Sequence, residues 1–148
     1  MKSTGVRLSG RMKFWFFSIF GVLFFSGIIW LISHYTNFRG VALEPNIIEP
    51  WLLRIHGAAA MGSLVIFGAL IPTHMQKAWR QERNRTTALV MLSLCVAMIA
   101  SGYGLYYCGD DIMRSWLSGF HSTAGSLLPV ILIWHIISGR RSRRRTHS

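Results

Sequence analysis

The stretch GFHSTAGSLLPVILIWHIISGRR, residues 119–141, is apolar enough to lie in a lipid bilayer, yet it contains two histidines, His121 and His135. A membrane-spanning helix needs about 20 predominantly apolar residues, and this stretch has that length. An ionisable side chain inside a membrane is energetically costly and usually marks a functional site. The two histidines therefore need partners from elsewhere in the chain.

The composition of the whole chain is that of a membrane protein. Of its 148 residues, 51% are hydrophobic and only 14% are charged, whereas a soluble domain carries about 25% charged residues. The sequence predicts an all-α integral membrane four-helix bundle, a single domain over residues 1–148. The predicted helices cover residues 14–35, 51–74, 87–107 and 116–138. The first is longer than the apolar part of a signal peptide and is expected to be retained, and no internal repeat is evident.

The distribution of basic residues predicts the orientation of the helices. The chain has a net charge of +11, and cytoplasmic loops of membrane proteins are enriched in Lys and Arg. Thirteen of the 16 basic residues lie before the first helix, between the second and third, or in the tail at residues 140–148. Both termini are therefore predicted to be cytoplasmic, in a bacterial inner membrane. Because the charge follows membrane topology, we expect the tail to meet lipid head groups and not nucleic acid.

Four histidines form two predicted pairs on the second and fourth helices. His56 and His74 are 18 residues apart, which is five α-helical turns, and His121 and His135 are 14 apart, nearly four turns. His56 and His121 lie near the outer ends of their helices, and His74 and His135 near the inner ends. Neutral imidazole is an axial ligand of haem iron, and each pair matches a bis-histidine haem. Zinc is disfavoured because two histidines per level are too few ligands.

Other residues bear on the same hypothesis. Arg54 and Arg114, near the outer helix ends, are candidates for binding haem propionates. His34, at the outer end of the first helix, is an alternative to His56 as the outer ligand. Glycines on the second and fourth helices either leave space for a macrocycle or tighten helix packing; they are Gly57, Gly62, Gly68, Gly119 and Gly125.

With these four histidines the chain resembles the membrane di-haem b-type cytochromes, of the cytochrome b561 and hydrogenase or formate dehydrogenase b-subunit kind. The resemblance implies two non-covalent b haems and electron transfer across the membrane, often to or from quinone. Covalent c-type attachment is excluded because the chain has no Cys-x-x-Cys-His motif. The 14-residue spacing matches these families. The 18-residue spacing departs from them, and helix tilt or a kink at Pro72 would absorb the difference.

The predicted function is electron transfer through two haems, as a subunit of a respiratory redox complex and not as a complete enzyme. The expected partners are other subunits, quinone, and an outer-side c-type cytochrome that docks on acidic residues. Those acids are Glu44, Glu49, Asp110 and Asp111. One alternative is a stand-alone quinone-linked oxidoreductase of the superoxide or ferric reductase type. Another is a haem-free membrane scaffold or transporter.

Overall fold

The computed structural model describes residues 9–38, 47–80 and 84–144, and nearly all of these residues are helical. The helices are α1 (Gly10–Phe38), α2 (Ile48–Leu70), α3 (Gln76–Arg80), α4 (Arg85–Tyr107) and α5 (Asp111–Arg144), with a π-helical turn at Ile71–Met75 between α2 and α3. Four of them, α1, α2, α4 and α5, are long and apolar enough to cross a membrane. The prediction of an all-α protein with four membrane-length helices is confirmed, while the orientation of the termini stays a prediction.

Helix α5 is longer at both ends than the predicted range 116–138. At its start the Asp110 carboxylate accepts a hydrogen bond from the Met113 backbone N–H at 2.7 Å, which satisfies one of the unpaired donors of the first turn. At its end the helix continues to Arg144, because arginine is a good helix former in water. The predicted basic tail is therefore helical up to Arg144, and residues 145–148 lie outside the described residues.

Helix α2 does not continue as an α-helix to His74. The Gln76 N–H bonds to the Ile71 carbonyl five residues earlier. Pro72 has no N–H to donate, and the Gly68 carbonyl accepts from the Ile71 N–H instead. A π-helical turn has more residues per turn than an α-helix. His74 is therefore offset in angle from the face predicted for it by counting α-helical turns.

The chain divides into two compact units, Met1–Lys77 and Ala78–Ser148. The first contains α1 and α2, which we call the first hairpin. Its helices are antiparallel, because Ile19 lies against Gly62 while Ser33, further along α1, bonds to Glu49, earlier on α2.

The second unit contains α4 and α5, which we call the second hairpin. Its helices are also antiparallel. Gly104, near the end of α4, lies against Leu117, near the start of α5. Asn84, just before α4, donates a hydrogen bond to the His135 carbonyl late in α5 at 3.4 Å.

Two of the glycines noted in the sequence have a packing role within their own hairpins. A Cβ at Gly62 would lie 3.2 Å from the Ile19 side chain, and a Cβ at Gly125 would lie 3.2 Å from the Met98 side chain. At Gly68 and Gly119 a Cβ would meet nothing within 4 Å. Close helix approach therefore explains Gly62 and Gly125, but not Gly68 or Gly119.

Candidate functional site

His56, on α2, lies against a serine and a glycine of α1. Its Nδ1 is 3.2 Å from the Ser26 Oγ, and the same hydroxyl donates to the Leu23 carbonyl at 3.1 Å. A Cβ at Gly27 would lie only 3.0 Å from the His56 Cε1. The absence of a side chain at Gly27 therefore lets the imidazole approach α1 closely enough to reach Ser26.

His121, on α5, has the same environment in the second hairpin. Its Nδ1 is 2.8 Å from the Ser101 Oγ, which donates to the Met98 carbonyl at 3.2 Å. A Cβ at Gly102 would lie 3.4 Å from the His121 Cε1. A serine followed by a glycine on one helix thus holds a histidine of the next helix in both hairpins.

The two hairpins also share a sequence pattern around these contacts. Trp51-Leu52 precedes His56 in the same way that Trp116-Leu117 precedes His121, and each histidine meets a Ser-Gly pair. The expectation of no internal repeat is therefore corrected: the two hairpins share a short repeat. Its signal in the sequence is the recurrence of Ser-Gly and of Trp-Leu-x-x-x-His.

His135, further along α5, also bonds to a hydroxyl of α4. Its Nδ1 is 3.0 Å from the Thr87 Oγ1, and that hydroxyl donates to the Asn84 carbonyl at 3.4 Å. The Asn84 amide in turn donates to the His135 carbonyl, so Asn84 links both members of the contact. Three of the four predicted ligands are therefore held by a Ser or Thr that reasoning from the sequence did not identify.

In one tautomer of His56, His121 and His135, both contacts of the neighbouring hydroxyl are hydrogen bonds. A hydroxyl has a single proton, and each hydroxyl lies within bonding distance of both the carbonyl three residues earlier and the imidazole Nδ1. When the hydroxyl donates to the carbonyl, its oxygen accepts from the imidazole, so that Nδ1 carries the ring proton and the lone pair lies on Nε2. A neutral imidazole with this proton placement is the form in which histidine binds a metal through Nε2.

His74 does not follow the repeat. The position in the first hairpin that corresponds to His135 is Leu70, and His74 lies four residues later, within the π-helical turn. The repeat therefore relates His56 to His121, whereas His74 and His135 are placed by different local structure.

His34 lies near the C-terminal end of α1 among other partners. Its Nδ1 is 3.6 Å from the Glu49 carboxylate, and its side chain is 49% exposed. Its ring stacks on Trp30 with the ring centroids 4.8 Å apart. His34 is therefore in contact with a carboxylate and a tryptophan ring of its own hairpin, with about half of its side chain exposed.

The two predicted propionate-binding arginines are exposed on their helices. The Arg54 guanidinium lies over the Trp51 ring, 4.9 Å from its centroid, and Arg114 lies in the first turn of α5. Neither is buried, so both side chains can reach an anionic group near the helix ends. Their role toward haem stays a prediction.

The structure places two of the predicted ligands in each unit. His56 and His74 belong to the first unit, and His121 and His135 to the second. Within residues 9–38, 47–80 and 84–144, no three His, Cys, Asp or Glu side chains form a group that would hold a metal ion. The pairing of His56 with His121, and of His74 with His135, stays a prediction. It rests on the membrane depth inferred from their positions along the predicted helices.

Comparison of the chain with protein-family models, with curated proteins and with solved structures finds no match.

Proposed function

We propose that this chain is a membrane cytochrome b that carries electrons across the bilayer through two bis-histidine b haems. The ligand pairs are those predicted from the sequence, His56 with His121 and His74 with His135. One observation carries the proposal: three of these four histidines have Nδ1 within 3.2 Å of a hydroxyl that also lies within bonding distance of a backbone carbonyl. The tautomer that makes both contacts hydrogen bonds has its lone pair on Nε2, where an iron ligand needs it.

Helix packing alone is a weaker explanation of these contacts. A histidine that only packs in a membrane needs a hydrogen bond, but either ring nitrogen can make it. Here three histidines use the same nitrogen toward the same kind of group, and two of them do so through a repeated Ser-Gly pair. The same contact at Nδ1 in all three histidines is expected if Nε2 has the same role in each of them, and metal binding through Nε2 is such a role.

A haem with two axial imidazoles has no open coordination position and therefore transfers electrons without binding oxygen. The chain's own residues would supply the ligands, orient them, and keep water from them. The hydroxyls beside the ligands are buried, since Ser26, Thr87 and Ser101 are 6%, 5% and 4% exposed. Arg54 and Arg114 are the side chains that we propose for the propionates of the outer haem.

A haem that has no open coordination position and only carries electrons needs one partner that donates electrons and another that accepts them. We therefore place the chain as a subunit of a respiratory redox complex in a bacterial inner membrane, exchanging electrons with quinone or an outer-side c-type cytochrome. Asp110, just before α5, and Asp111, the first residue of α5, are both exposed, and Glu49 lies at the start of α2. Carboxylates at these positions would attract a basic cytochrome. Glu44, the fourth predicted acid, lies outside the described residues.

The protein purified in mild detergent should contain two b haems per chain. A reduced-minus-oxidised spectrum with the absorption of low-spin haem b, combined with pyridine haemochrome quantification, measures both the type and the number. A colourless protein that takes up no added haem would contradict the proposal and favour a haem-free scaffold or transporter. Steady reduction of superoxide or ferric iron by the purified chain alone would favour a stand-alone oxidoreductase.

Replacing His34 with Ala should leave both haems in place. The side chain is half exposed and lies 3.6 Å from the Glu49 carboxylate, and even a fully charged pair near a surface contributes only about 0–1 kcal/mol. Haem content and the spectra of the variant should match those of the wild type. If His34→Ala lost one haem while His56→Ala kept both, His34 and not His56 would be the outer ligand.

A further inference from the structure

We propose that Ser26, Ser101 and Thr87 are positioning residues that hold the haem ligands in their binding tautomer and lower the reduction potentials of the haems. This inference rests on the proposed function, because it concerns the same histidines. None of the three residues would touch iron or haem for this purpose. Each acts through the Nδ1 of His56, His121 or His135.

Each hydroxyl lies between a backbone carbonyl and an imidazole. The carbonyl, three residues earlier in the chain, can only accept, so the hydroxyl makes both bonds at once when it donates to the carbonyl and accepts from the ring. All three residues are buried, so bulk water does not compete for the oxygen. The imidazole then donates an N–H to this oxygen, and Nδ1 is the nitrogen within reach.

The bond from Nδ1 to the hydroxyl would also affect an iron bound at Nε2 of the same ring. A histidine that donates its Nδ1–H to an oxygen is a more basic ligand at Nε2. A more basic ligand stabilises ferric over ferrous iron, and hydrogen bonding around the ligands is one of the ways in which a protein sets a haem potential. Removing the hydroxyl should therefore raise the potential of the haem that the histidine binds.

The three hydroxyls are divided unequally between the predicted ligand pairs. Ser26 and Ser101 bond to His56 and His121, the two ligands predicted for the outer haem. Thr87 bonds to His135, which is predicted to bind the inner haem with His74. Substitution of either serine should therefore raise the reduction potential of the same haem, and substitution of Thr87 should raise the potential of the other haem.

The variants Ser26→Ala, Ser101→Ala and Thr87→Ala test the inference by redox titration of the haem-loaded full chain. Loss of a group that orients a metal ligand typically lowers metal affinity about 10–100-fold, so haem retention should fall by a factor in this range. The midpoint potential of one haem should rise in both serine variants, and that of the other haem in Thr87→Ala. Thr87→Ser, which keeps the hydroxyl, should have the haem retention and the midpoint potential of the wild type.

Two neighbouring residues of α4 supply matched controls. Ser93 and Thr86 are exposed on the same helix as Ser101 and Thr87, so Ser93→Ala and Thr86→Ala remove a hydroxyl without touching the site. Both should keep wild-type potentials and haem affinity. If the three site variants bind haem and titrate like these controls, the inference is wrong although the proposed function stands.

A second measurement separates the two claims if the wild type proves to bind no haem. Selective 15N labelling of histidine and NMR of the full chain without haem report which ring nitrogen carries the proton. The inference expects the Nδ1–H form for His56, His121 and His135, and loss of that preference in the matching Ala variant. Equal tautomers in wild type and variants would overturn the positioning role itself, whatever the haem content.

Discussion

Replacing His121 with Ala should remove one of the two haems and stop electron transfer across the membrane. The substitution deletes an axial ligand, and a single remaining imidazole holds a non-covalent haem far more weakly than two. Because loss of a group that only orients a ligand already costs about 10–100-fold in affinity, loss of the ligand itself should cost more. Pyridine haemochrome quantification should show one haem per chain in place of two.

The rate of electron transfer across the membrane should fall by more than the half that is lost in haem content. In liposomes that contain a trapped ferric complex as acceptor, reduction by a membrane-impermeant donor outside should fall to the rate of protein-free liposomes. Electrons would need both haems in series to cross a bilayer core about 30 Å thick. Thr123→Ala is the matched control, because Thr123 is an exposed residue of the same helix two positions from His121.

The identity of the haem that is lost tests the pairing. His56→Ala should remove the same haem as His121→Ala, and His74→Ala and His135→Ala should remove the other. The midpoint potential of the haem that remains identifies it in each variant. If His56→Ala and His121→Ala left different haems behind, the ligand pairs predicted from depth would be wrong, although the chain would still be a cytochrome.

The sequence predicted the four long helices because length and apolarity are properties of a continuous stretch. Their ends were less predictable, since they depend on local hydrogen bonds. The bond from Met113 to Asp110 starts α5 five residues before Trp116, and the arginines after Gly139 extend it. The π-helical turn was anticipated only as a kink at Pro72, and its effect on the angle of His74 requires the backbone bond from Gln76 to Ile71.

The histidines were visible in the sequence because ionisable residues are rare within apolar stretches. Their hydroxyl partners were not, because Ser and Thr are common in membrane helices and their contacts depend on the register between two helices. The repeat was hidden for a related reason. Ser26 and His56 are 30 residues apart, whereas Ser101 and His121 are 20 apart, so the equivalent contacts follow no constant period along the chain.

A leucine at Gly27 should expel the outer haem without any change in a ligand. Even a Cβ at this position would lie 3.0 Å from the His56 Cε1 and 3.3 Å from its Nδ1, which is tighter than ordinary van der Waals contact. The larger side chain must push the imidazole away from α1 and break its bond to Ser26. Gly27→Leu should therefore lose the same haem as His56→Ala, measured by haem quantification.

Gly27→Ala should give a graded version of this result. Overpacking by one methyl group in a tight site costs about 1–3 kcal/mol, equivalent to a loss of about 5–150-fold in haem affinity if the strain falls on the bound state. Gly102→Ala should have a smaller effect, because a Cβ there would lie 3.4 Å from the His121 Cε1, near ordinary contact distance. Gly27→Ala should therefore lose more haem affinity than Gly102→Ala, because its Cβ would lie closer to the imidazole ring.

Gly21→Leu is the matched control for Gly27→Leu. Gly21 lies on the same helix, and a Cβ there would meet nothing within 4 Å. Both substitutions replace a glycine with a good helix former, so any general effect on helix stability or membrane insertion should be common to both. Gly21→Leu should keep two haems. If it lost a haem as readily as Gly27→Leu, the loss would reflect helix assembly and not the contact between α1 and the His56 ring.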